Sequence, residues 1–404
     1  MDFEYSEEQQ QLADSLRKYL SGKYDFEARK AIINSSKGIS DEAWSAFAEL
    51  GLSAIPFSDA DGGFGGGAVD LMAAMEAFGE ALVVEPLLDN IGLAGRLVAR
   101  LGSAAQRSQL LAPMIDGKLK LALAYLEPGA RYEIATPGTR ATVASDDGSG
   151  RSGWVLNGSK AVVVGAASAD RLIVSASIGS GSVSNDRSTG SDGTSNGISL
   201  FIVPRDAAGV ALQAYRTVDG QRAADVSFTA VKLGADALLG AQGQGLPALE
   251  EALDFATALQ CADAVGAMKS ASDATLEYLK TRKQFGVAIG SFQVLQHRVV
   301  DMYIECEQAR SMAILAASKV DAAASAAQPL TASGIAERKR AVSAAKIRIA
   351  DAARKVSQES VQLHGGMGMT EEMKVSHTFR RLTTIAQRFG DADHHLERYA
   401  EVCG

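Results

Sequence analysis

The chain has 404 residues, 47% of them hydrophobic and 22% charged, and its formal net charge is −8. This length suits two or three domains with a substantial core. The acidic balance, without a Lys/Arg stripe, argues against nucleic acid as a partner, and no apolar run approaches the length of a membrane span.

Residues 1–118 predict a helical domain. The run Ser-Glu-Glu-Gln at 6–9 has the pattern of a capping box, and leucines then repeat on one helical face. A Gly-rich run at 61–67 interrupts the helices. Because no basic residue lies beside it, we interpret it as a helix–helix loop and not as a phosphate-binding loop.

Residues 119–233 predict a small antiparallel β domain. The evidence is a series of short, β-rich segments separated by turn residues, at 120–126, 153–156, 161–164, 171–175, 198–203 and 226–228. The run 179–193 is too polar and too rich in Gly and Ser to fold independently. We therefore predict a long flexible hairpin tip there.

Residues 234–404 predict a bundle of long helices. Apolar residues, many of them alanine, recur at a spacing of three to four, which suits closely packed antiparallel helices. The basic run at 337–340 opens one of these helices, and we predict that it forms a solvated helix face.

The three cysteines, Cys261, Cys306 and Cys403, are odd in number and widely spaced. They form no metal-ligand pattern, which favours free thiols in a reducing compartment. The acidic N-terminus also lacks the apolar core of a secretory signal. These features predict a cytoplasmic protein.

Two segments at helix ends, 279–286 and 361–368, carry the most specific chemistry. In the first, Arg282 offers a bidentate fork for phosphate oxygens and Phe285 an aromatic face for adenine or ribose. In the second, Gln362 can donate to an oxygen, and the following glycines let bare backbone N–H groups approach closely. Together they predict a grip on the diphosphate and adenosine of a nucleotide cofactor.

The two segments, within a chain ordered helical, β, helical, resemble the acyl-CoA dehydrogenase family over nearly the full length. The resemblance implies an α+β fold with an N-terminal helical domain, a middle β-barrel-like domain and a C-terminal four-helix bundle. It implies FAD as cofactor, acyl-CoA as substrate, and a dimer that shares each FAD between two subunits. The matching positions for the adenosine and diphosphate are Arg282, Phe285, Gln293, Gln362, Gly365 and Gly366.

The positions that face the flavin ring depart from the family pattern. Leu126 stands where active members usually carry Thr before Glu-Pro-Gly, and 162–164 read Val-Val-Val where the family shows Trp-Ile-Thr. Tyr132, preceded by Arg131, replaces a small Ser. Backbone N–H groups remain as donors, but side-chain hydrogen bonds of roughly 0.5–1.5 kcal/mol each are lost. The resemblance therefore implies a degenerate ring site.

The catalytic base is also missing. Removal of an α-proton from a thioester needs a carboxylate within reach, and the two positions the family uses fall at Phe389 and near Thr257. Asp254 and Asp391 lie two or three residues away, where a carboxylate is more often a helix cap or a solvated group than a base. Asp391 follows Gly390 in a turn and is the better candidate for a replacement base.

The tail 391–395 contains Asp and His residues of metal-ligand type. Adjacent histidines on a helix point about 100° apart and rarely bind one ion. We therefore predict no metal site, and interpret Asp391 as a helix N-cap.

The ending 388–395 and the Arg131-Tyr132 pair resemble the small subunit of pimeloyl-CoA dehydrogenase and similar bacterial heteromeric members of the family. The resemblance implies a base-lacking subunit of an α2β2 acyl-CoA dehydrogenase, completed by a paralogous subunit, with electron transfer flavoprotein as acceptor. A self-sufficient homotetramer that uses Asp391 as base and a flavin-free scaffold are the alternatives. The sequence does not identify the acyl group of the substrate, which can be a fatty, dicarboxylic, aromatic or steroid side-chain acyl group.

Overall fold

The computed structural model describes residues 5–144, 153–179, 197–325 and 331–403. The N-terminal region is helical, as predicted. Its elements are α1 (Glu7–Lys23), α2 (Phe26–Asn34), α3 (Asp41–Glu49), α4 (Ala68–Ala81), a π-helical segment (Leu88–Gly95), α5 (Arg96–Leu101) and α6 (Ala104–Ile115). The capping box before α1 is confirmed, because the Ser6 hydroxyl accepts from the Gln9 backbone N–H and the Gln9 side chain accepts from the Ser6 N–H.

The Gly-rich run before α4 serves a helix contact. The first N–H groups of α4, from Ala68 and Val69, donate to the carboxylate of Asp321 at 2.7 and 2.9 Å. Gly67 lies so close to Asp321 that a Cβ would clash with the carboxylate. This helix N-terminus is therefore satisfied within the protein.

The middle region contains one eight-stranded sheet in the order β6-β7-β3-β2-β4-β5-β8, with β1 also paired to β4. The strands are β1 (Leu121–Ala124), β2 (Arg140–Val143), β3 (Trp154–Val164), β4 (Arg171–Ile178), β5 (Ile198–Pro204), β6 (Val210–Arg216), β7 (Arg222–Leu233) and β8 (Leu238–Leu239). The sheet therefore continues beyond residue 233. The predicted hairpin tip at 179–193 lies, apart from Gly179, outside the described residues.

Three details of this sheet correct the sequence prediction. β1 and β2 pair with β4 in parallel, so the domain is not purely antiparallel, because long-range connections set these directions. The segments 153–156 and 161–164 form one strand, β3, whose register shifts twice against β7. Strands β2 and β6 were not predicted, and β6 lies at the edge with mainly exposed or half-buried residues, so it carries no apolar signal.

The C-terminal region is a bundle of α7 (Leu246–Thr281), α8 (Gln293–Ser325), α9 (Ala332–His364) and α10 (Lys374–Gln387), followed by the short α11 (Ala392–Glu401). A small hairpin, β9 (Lys283–Gln284) and β10 (Val287–Ala288), joins α7 to α8. Buried alanines line the contacts between the helices, and the predicted fold class is confirmed. In the described part of the chain, no helix is long and apolar enough to cross a lipid bilayer.

The basic run at 337–340 is only partly the solvated face that the sequence predicts, since Glu337 and Arg340 are exposed but Arg338 is buried. Arg338 is only 3% exposed, and its Nε donates to Asp254 Oδ2 at 2.8 Å. Lys339 pairs with Glu250 at 2.9 Å. The buried carboxylate on α7 needs an opposite charge, which α9 supplies.

A buried ion network fixes the three regions relative to one another. Arg381 of α10 pairs with Asp219, in the turn between β6 and β7, at 3.0 Å and also with Asp263 of α7. Arg29 of α2 donates to the Asp219 carbonyl at 2.8 Å and to the Leu82 carbonyl at 2.6 Å. These contacts hold the three regions in a defined arrangement.

Candidate functional site

The predicted nucleotide grip lies at one end of the C-terminal bundle. α7 and α9 are the first and third helices, so their C-terminal ends lie side by side. The ring of Tyr278, in the last turn of α7, stacks on His364 at the end of α9, with 4.5 Å between centroids and 26° between planes. Arg282 follows this contact on one helix, and Gly365 follows it on the other. The fold therefore brings the two sequence motifs together.

The connection from α7 to α8 presents three of the predicted residues to solvent: Arg282, Phe285 and Gln293 are all exposed. The Arg282 backbone is held in place, since its N–H donates to the Tyr278 carbonyl and its own carbonyl accepts from Ile289. Phe285 is 91% exposed and has φ 55°, an unfavourable backbone conformation for an aromatic residue. Such strain is typical of positions that meet a ligand or partner.

The end of α9 presents the other three residues: Gln362, Gly365 and Gly366 are also exposed. Gly365 has φ 62° and ψ −146°, a conformation that is essentially restricted to glycine. A Cβ built on Gly365 or Gly366 meets no atom within 4 Å, whereas one on Gly368 lies 2.7 Å from the Val361 carbonyl oxygen. Gly368 therefore serves packing, and the two others leave open space beside the backbone.

These features suit the adenosine and diphosphate of FAD. Arg282 makes no ion pair with any described residue, so its guanidinium is available for phosphate oxygens. Phe285 provides the aromatic face, and the open glycines permit close approach of a polyanion to the backbone. Gly365 also caps α9, because its N–H donates to the Gln362 carbonyl.

The strand ends that would face a flavin ring carry apolar side chains, Leu126 and the three valines at 162–164. The Val162 N–H donates to Asp225 Oδ1 at 3.0 Å, so this backbone donor is already used. Val162 has φ 53° at the register shift in β3, and Asp225 also accepts from the Tyr215 hydroxyl at 2.9 Å. The Leu126 carbonyl accepts from the Ala161 N–H. The side chains of Leu126 and of 162–164 therefore offer no hydrogen bond to a flavin ring.

A buried ion pair that the sequence did not reveal positions the loop leading to Tyr132. The Lys160 side chain is fully buried, and its Nζ donates to Glu127 Oε1 at 2.7 Å and to the Ser175 hydroxyl at 3.0 Å. Burial lowers the pKa of Lys160 to about 8, although Glu127 opposes the shift. Glu127 also accepts from the backbone N–H groups of Gly138 and Thr139.

A cleft of about 330 Å³ lies between this loop, the first turns of α7, and the segment 389–402. Tyr125, Leu253, Thr257 and Phe389 are among the residues that line it. Phe389, which takes the expected base position, has φ 63°. The side chain at the expected base position is therefore apolar and cannot accept a proton.

The two carboxylates near the expected base positions in the sequence are engaged within the protein. Asp254 is 2% exposed and pairs with Arg338 at 2.8 Å and Arg398 at 2.7 Å, one through each oxygen. Asp391 Oδ1 caps α11 by accepting from the His394 N–H at 2.9 Å, as predicted, and Oδ2 pairs with Arg131 at 3.3 Å. Neither side chain presents a free oxygen to the cleft.

The turn that carries Phe389 is held by two side chains that sequence reasoning missed. Lys346 Nζ donates to the carbonyls of Ile385, Ala386 and Gly390, and His395 Nε2 lies 3.0 Å from the Phe389 carbonyl. Burial lowers the pKa of Lys346 to about 8 and that of His395 to about 2. The sequence signal that could have revealed Lys346 is its position within the row of alanines on α9. Among the described residues, no His, Cys, Asp or Glu cluster could hold a metal ion.

Known protein families match all three regions of the chain. Models of the acyl-CoA dehydrogenase N-terminal, middle and C-terminal domains match residues 6–118, 122–232 and 243–403. Acyl-CoA dehydrogenase FadE12 of Mycobacterium tuberculosis is 31% identical over 358 residues, which cover 85% of this chain and 84% of FadE12.

Two solved structures of this kind span nearly the whole chain. Butyryl-CoA dehydrogenase of Megasphaera elsdenii has a TM-score of 0.84 at 26% identity, with all of both chains covered. The steroid acyl-CoA dehydrogenase Tcur3481–Tcur3483 has a TM-score of 0.81 at 28% identity, with 98% of each chain covered. This chain therefore belongs to the acyl-CoA dehydrogenase family, and its cofactor is FAD.

Proposed function

We propose that this chain is the base-lacking subunit of an FAD-dependent acyl-CoA dehydrogenase that forms the α,β-unsaturated acyl-CoA. It grips the adenosine and diphosphate of FAD, and a paralogous subunit of an α2β2 complex supplies the ring site and the base. The observation that carries this proposal is Phe389 at the base position, while Asp254 and Asp391 are both engaged in other contacts. The self-sufficient alternative requires Asp391 to leave its N-cap.

The separation between grip and cleft supports a cofactor shared between subunits. Thr257 lines the cleft, and Arg282 lies 25 residues later at the other end of α7. At a rise of 1.5 Å per residue, the two are about 37 Å apart. An extended FAD molecule is shorter than this. The grip of one chain and the cleft of the same chain therefore serve different FAD molecules.

An apolar surface beside the grip supports a partner subunit. On α8, Val300, Tyr303 and Ile304 are 56%, 62% and 45% exposed, at a spacing that places them on one face. Further exposed apolar side chains lie near the grip, namely Phe285, Phe292, Val294, Met367 and Met369. Several exposed apolar side chains around one site favour a protein interface there. The structure of Tcur3481–Tcur3483, whose name joins two proteins, offers a parallel.

The roles divide between the subunits by chemistry. FAD, when bound, supplies the acceptor for the hydride that leaves the β-carbon of the thioester. In this chain, Arg282 would pair with the diphosphate, Phe285 would contact the adenosine, and Gln362 and Gly366 would donate to phosphate oxygens. A carboxylate of the partner would remove the α-proton, and electron transfer flavoprotein would be the electron acceptor.

The test is to purify the chain alone and together with a paralogous acyl-CoA dehydrogenase subunit from the same genome. We expect the chain alone to be colourless, and the complex to carry flavin absorbance and to dehydrogenate acyl-CoA. A yellow, active homomer would favour the alternative in which Asp391 is the base. A complex that never binds flavin would favour a scaffold role.

A further inference from the structure

One stacked ring pair joins the ends of α7 and α9, which carry the two halves of the grip. Tyr278 is half-buried in the last turn of α7, and its ring centroid lies 4.5 Å from that of His364, with 26° between the ring planes. Stacked rings at this distance attract each other beyond the burial of their apolar surface. Among the described residues, no other ring pair connects these two helices.

The ring of His364 is held firmly from its own side. His364 is 3% exposed, and its Nδ1 lies 2.7 Å from the Ser360 carbonyl oxygen, so this nitrogen carries the proton and donates. Burial lowers the pKa of His364 below its usual value, which keeps the ring neutral at pH 7. The segment after α9 folds back against this residue, because a Cβ on Gly368 would lie 3.0 Å from the His364 Cβ.

The glycine half of the grip begins directly after this ring. Gly365 follows His364 in the chain with φ 62° and ψ −146°, and its N–H donates to the Gln362 carbonyl. The backbone that would approach the diphosphate at Gly365 and Gly366 is therefore attached to a histidine whose orientation is fixed.

The arginine half of the grip is attached to Tyr278 in the same way. The Arg282 N–H donates to the Tyr278 carbonyl at 2.8 Å, and the Ile289 N–H donates to the Arg282 carbonyl at 2.9 Å. Gly290 approaches the end of α7 so closely that a Cβ would lie 2.9 Å from the Leu279 carbonyl oxygen. The backbone of Arg282 is thus tied to the last turn of α7, where Tyr278 stands.

Helix ends need such a contact to be held in one place. The last carbonyls of a helix lack intrahelical donors, and end turns open at a lower free energy than the core. Three residues of the last turn of α7, Glu277, Lys280 and Thr281, are exposed and contribute little packing. The stack therefore does more to place this turn against α9 than its neighbours can.

We propose that Tyr278 and His364 are positioning residues of the grip, because their stack sets the spacing between Arg282 and the backbone of Gly365 and Gly366. The inference rests on the proposed function, since it concerns the same FAD grip. The two rings act through the residues that follow them, and neither has to touch the cofactor.

The test is titration of the flavin-stripped complex with FAD, or of the homomer if that assembly binds flavin. Tyr278→Leu removes the stack, and we expect the dissociation constant for FAD to rise by about tenfold. Tyr278→Phe keeps the stacked ring and should restore the affinity to within about twofold of the unmodified complex.

His364→Asn is a second variant that removes the stack from the other helix. Asn keeps an N–H group for the Ser360 carbonyl, and the dissociation constant should rise as it does in Tyr278→Leu. The pair keeps the test decisive if one of the two chains fails to fold.

Phe26→Leu is the matched control. Phe26 is also half-buried, and its ring contacts another buried histidine, His377, with 4.9 Å between centroids. This contact joins α2 to α10, which carry no residue of the grip. Phe26→Leu should lower the melting temperature as Tyr278→Leu does, but it should leave the affinity for FAD unchanged.

A double-mutant cycle separates positioning from a loss of stability. If Tyr278 acts by placing Arg282, Tyr278→Leu should change the dissociation constant by less than about threefold when Arg282 is already alanine. A general loss of stability would give the same fold-change with and without the Arg282 side chain.

Four results would overturn the proposal: unchanged FAD affinity in Tyr278→Leu and His364→Asn, a loss in Tyr278→Phe as large as in Tyr278→Leu, an equal loss in Phe26→Leu, or additivity in the cycle. Arg282→Ala, measured in the same titration, tests the grip itself. A loss of affinity in Arg282→Ala without one in Tyr278→Leu overturns the positioning role alone, whereas no loss in either variant overturns the grip as well.

Discussion

Arg282→Ala should weaken FAD binding by the assembled complex without unfolding this chain. Arg282 is exposed at the end of α7, and its side chain makes no ion pair with a described residue. Its backbone contacts, to Tyr278 and Ile289, do not depend on the side chain. The substitution therefore removes a cation from the grip and leaves the helix end in place.

The magnitude follows from the kind of contact. A guanidinium that pairs with a diphosphate makes a charge-assisted hydrogen bond worth about 1.5–3 kcal/mol. Since each 1.4 kcal/mol is a factor of ten, the dissociation constant for FAD should rise by roughly ten- to a hundredfold. The dissociation constant of Arg282→Lys should lie between those of the unmodified complex and of Arg282→Ala. Lys keeps the positive charge but loses the bidentate fork of the guanidinium.

The assay is titration of the flavin-stripped complex with FAD, followed by the change in flavin fluorescence. Arg340→Ala is the matched control, since Arg340 is an exposed arginine near the other end of α9. An FAD affinity of Arg282→Ala that equals that of Arg340→Ala and of the unmodified complex would refute the assignment of the grip to this end of the bundle.

Other consequences can be measured in the same complex. Flavin content should approach one FAD per two chains, and a ratio of one per chain by absorbance would contradict the degenerate ring site. Asp391→Asn, which keeps N-capping ability, should leave turnover within a few-fold; a loss of a hundredfold or more with FAD intact, the range of a general base, would make Asp391 the base.

Gly365→Ala forces a side chain into a conformation that costs of order 1–3 kcal/mol, so the melting temperature should fall, and an unchanged value would contradict the backbone geometry. The pKa of His395, about 2 in the folded chain, lies below the usual 6.5, so below pH 6.5 the unfolded chain binds a proton that the folded chain does not. Stability should fall by about 2 kcal/mol from this group between pH 7 and pH 5. In urea unfolding, the free energy of unfolding of His395→Gln should depend correspondingly less on pH. An unchanged pH dependence would contradict this prediction.

The sequence by itself determined the order of the helical, β and helical regions, and it predicted which residues form the grip. Helical periodicity, the capping box at 6–9 and the N-cap at Asp391 depend on residues a few positions apart, so local physics sets them. The motifs around Arg282 and Gly365 were readable because their residue types are specific and lie at helix ends. The apolar residue at 389, the expected base position, was equally visible.

Tertiary structure alone decided the directions and partners that depend on distant residues. The parallel pairing of β1 and β2 with β4, and the burial of Arg338 against Asp254, join segments that no local pattern connects. The same holds for Lys346, because its contacts with the turn at 385–390 depend on which helix faces which. A side chain's free energy of burial is set by its neighbours in space, and the chain order does not specify those neighbours.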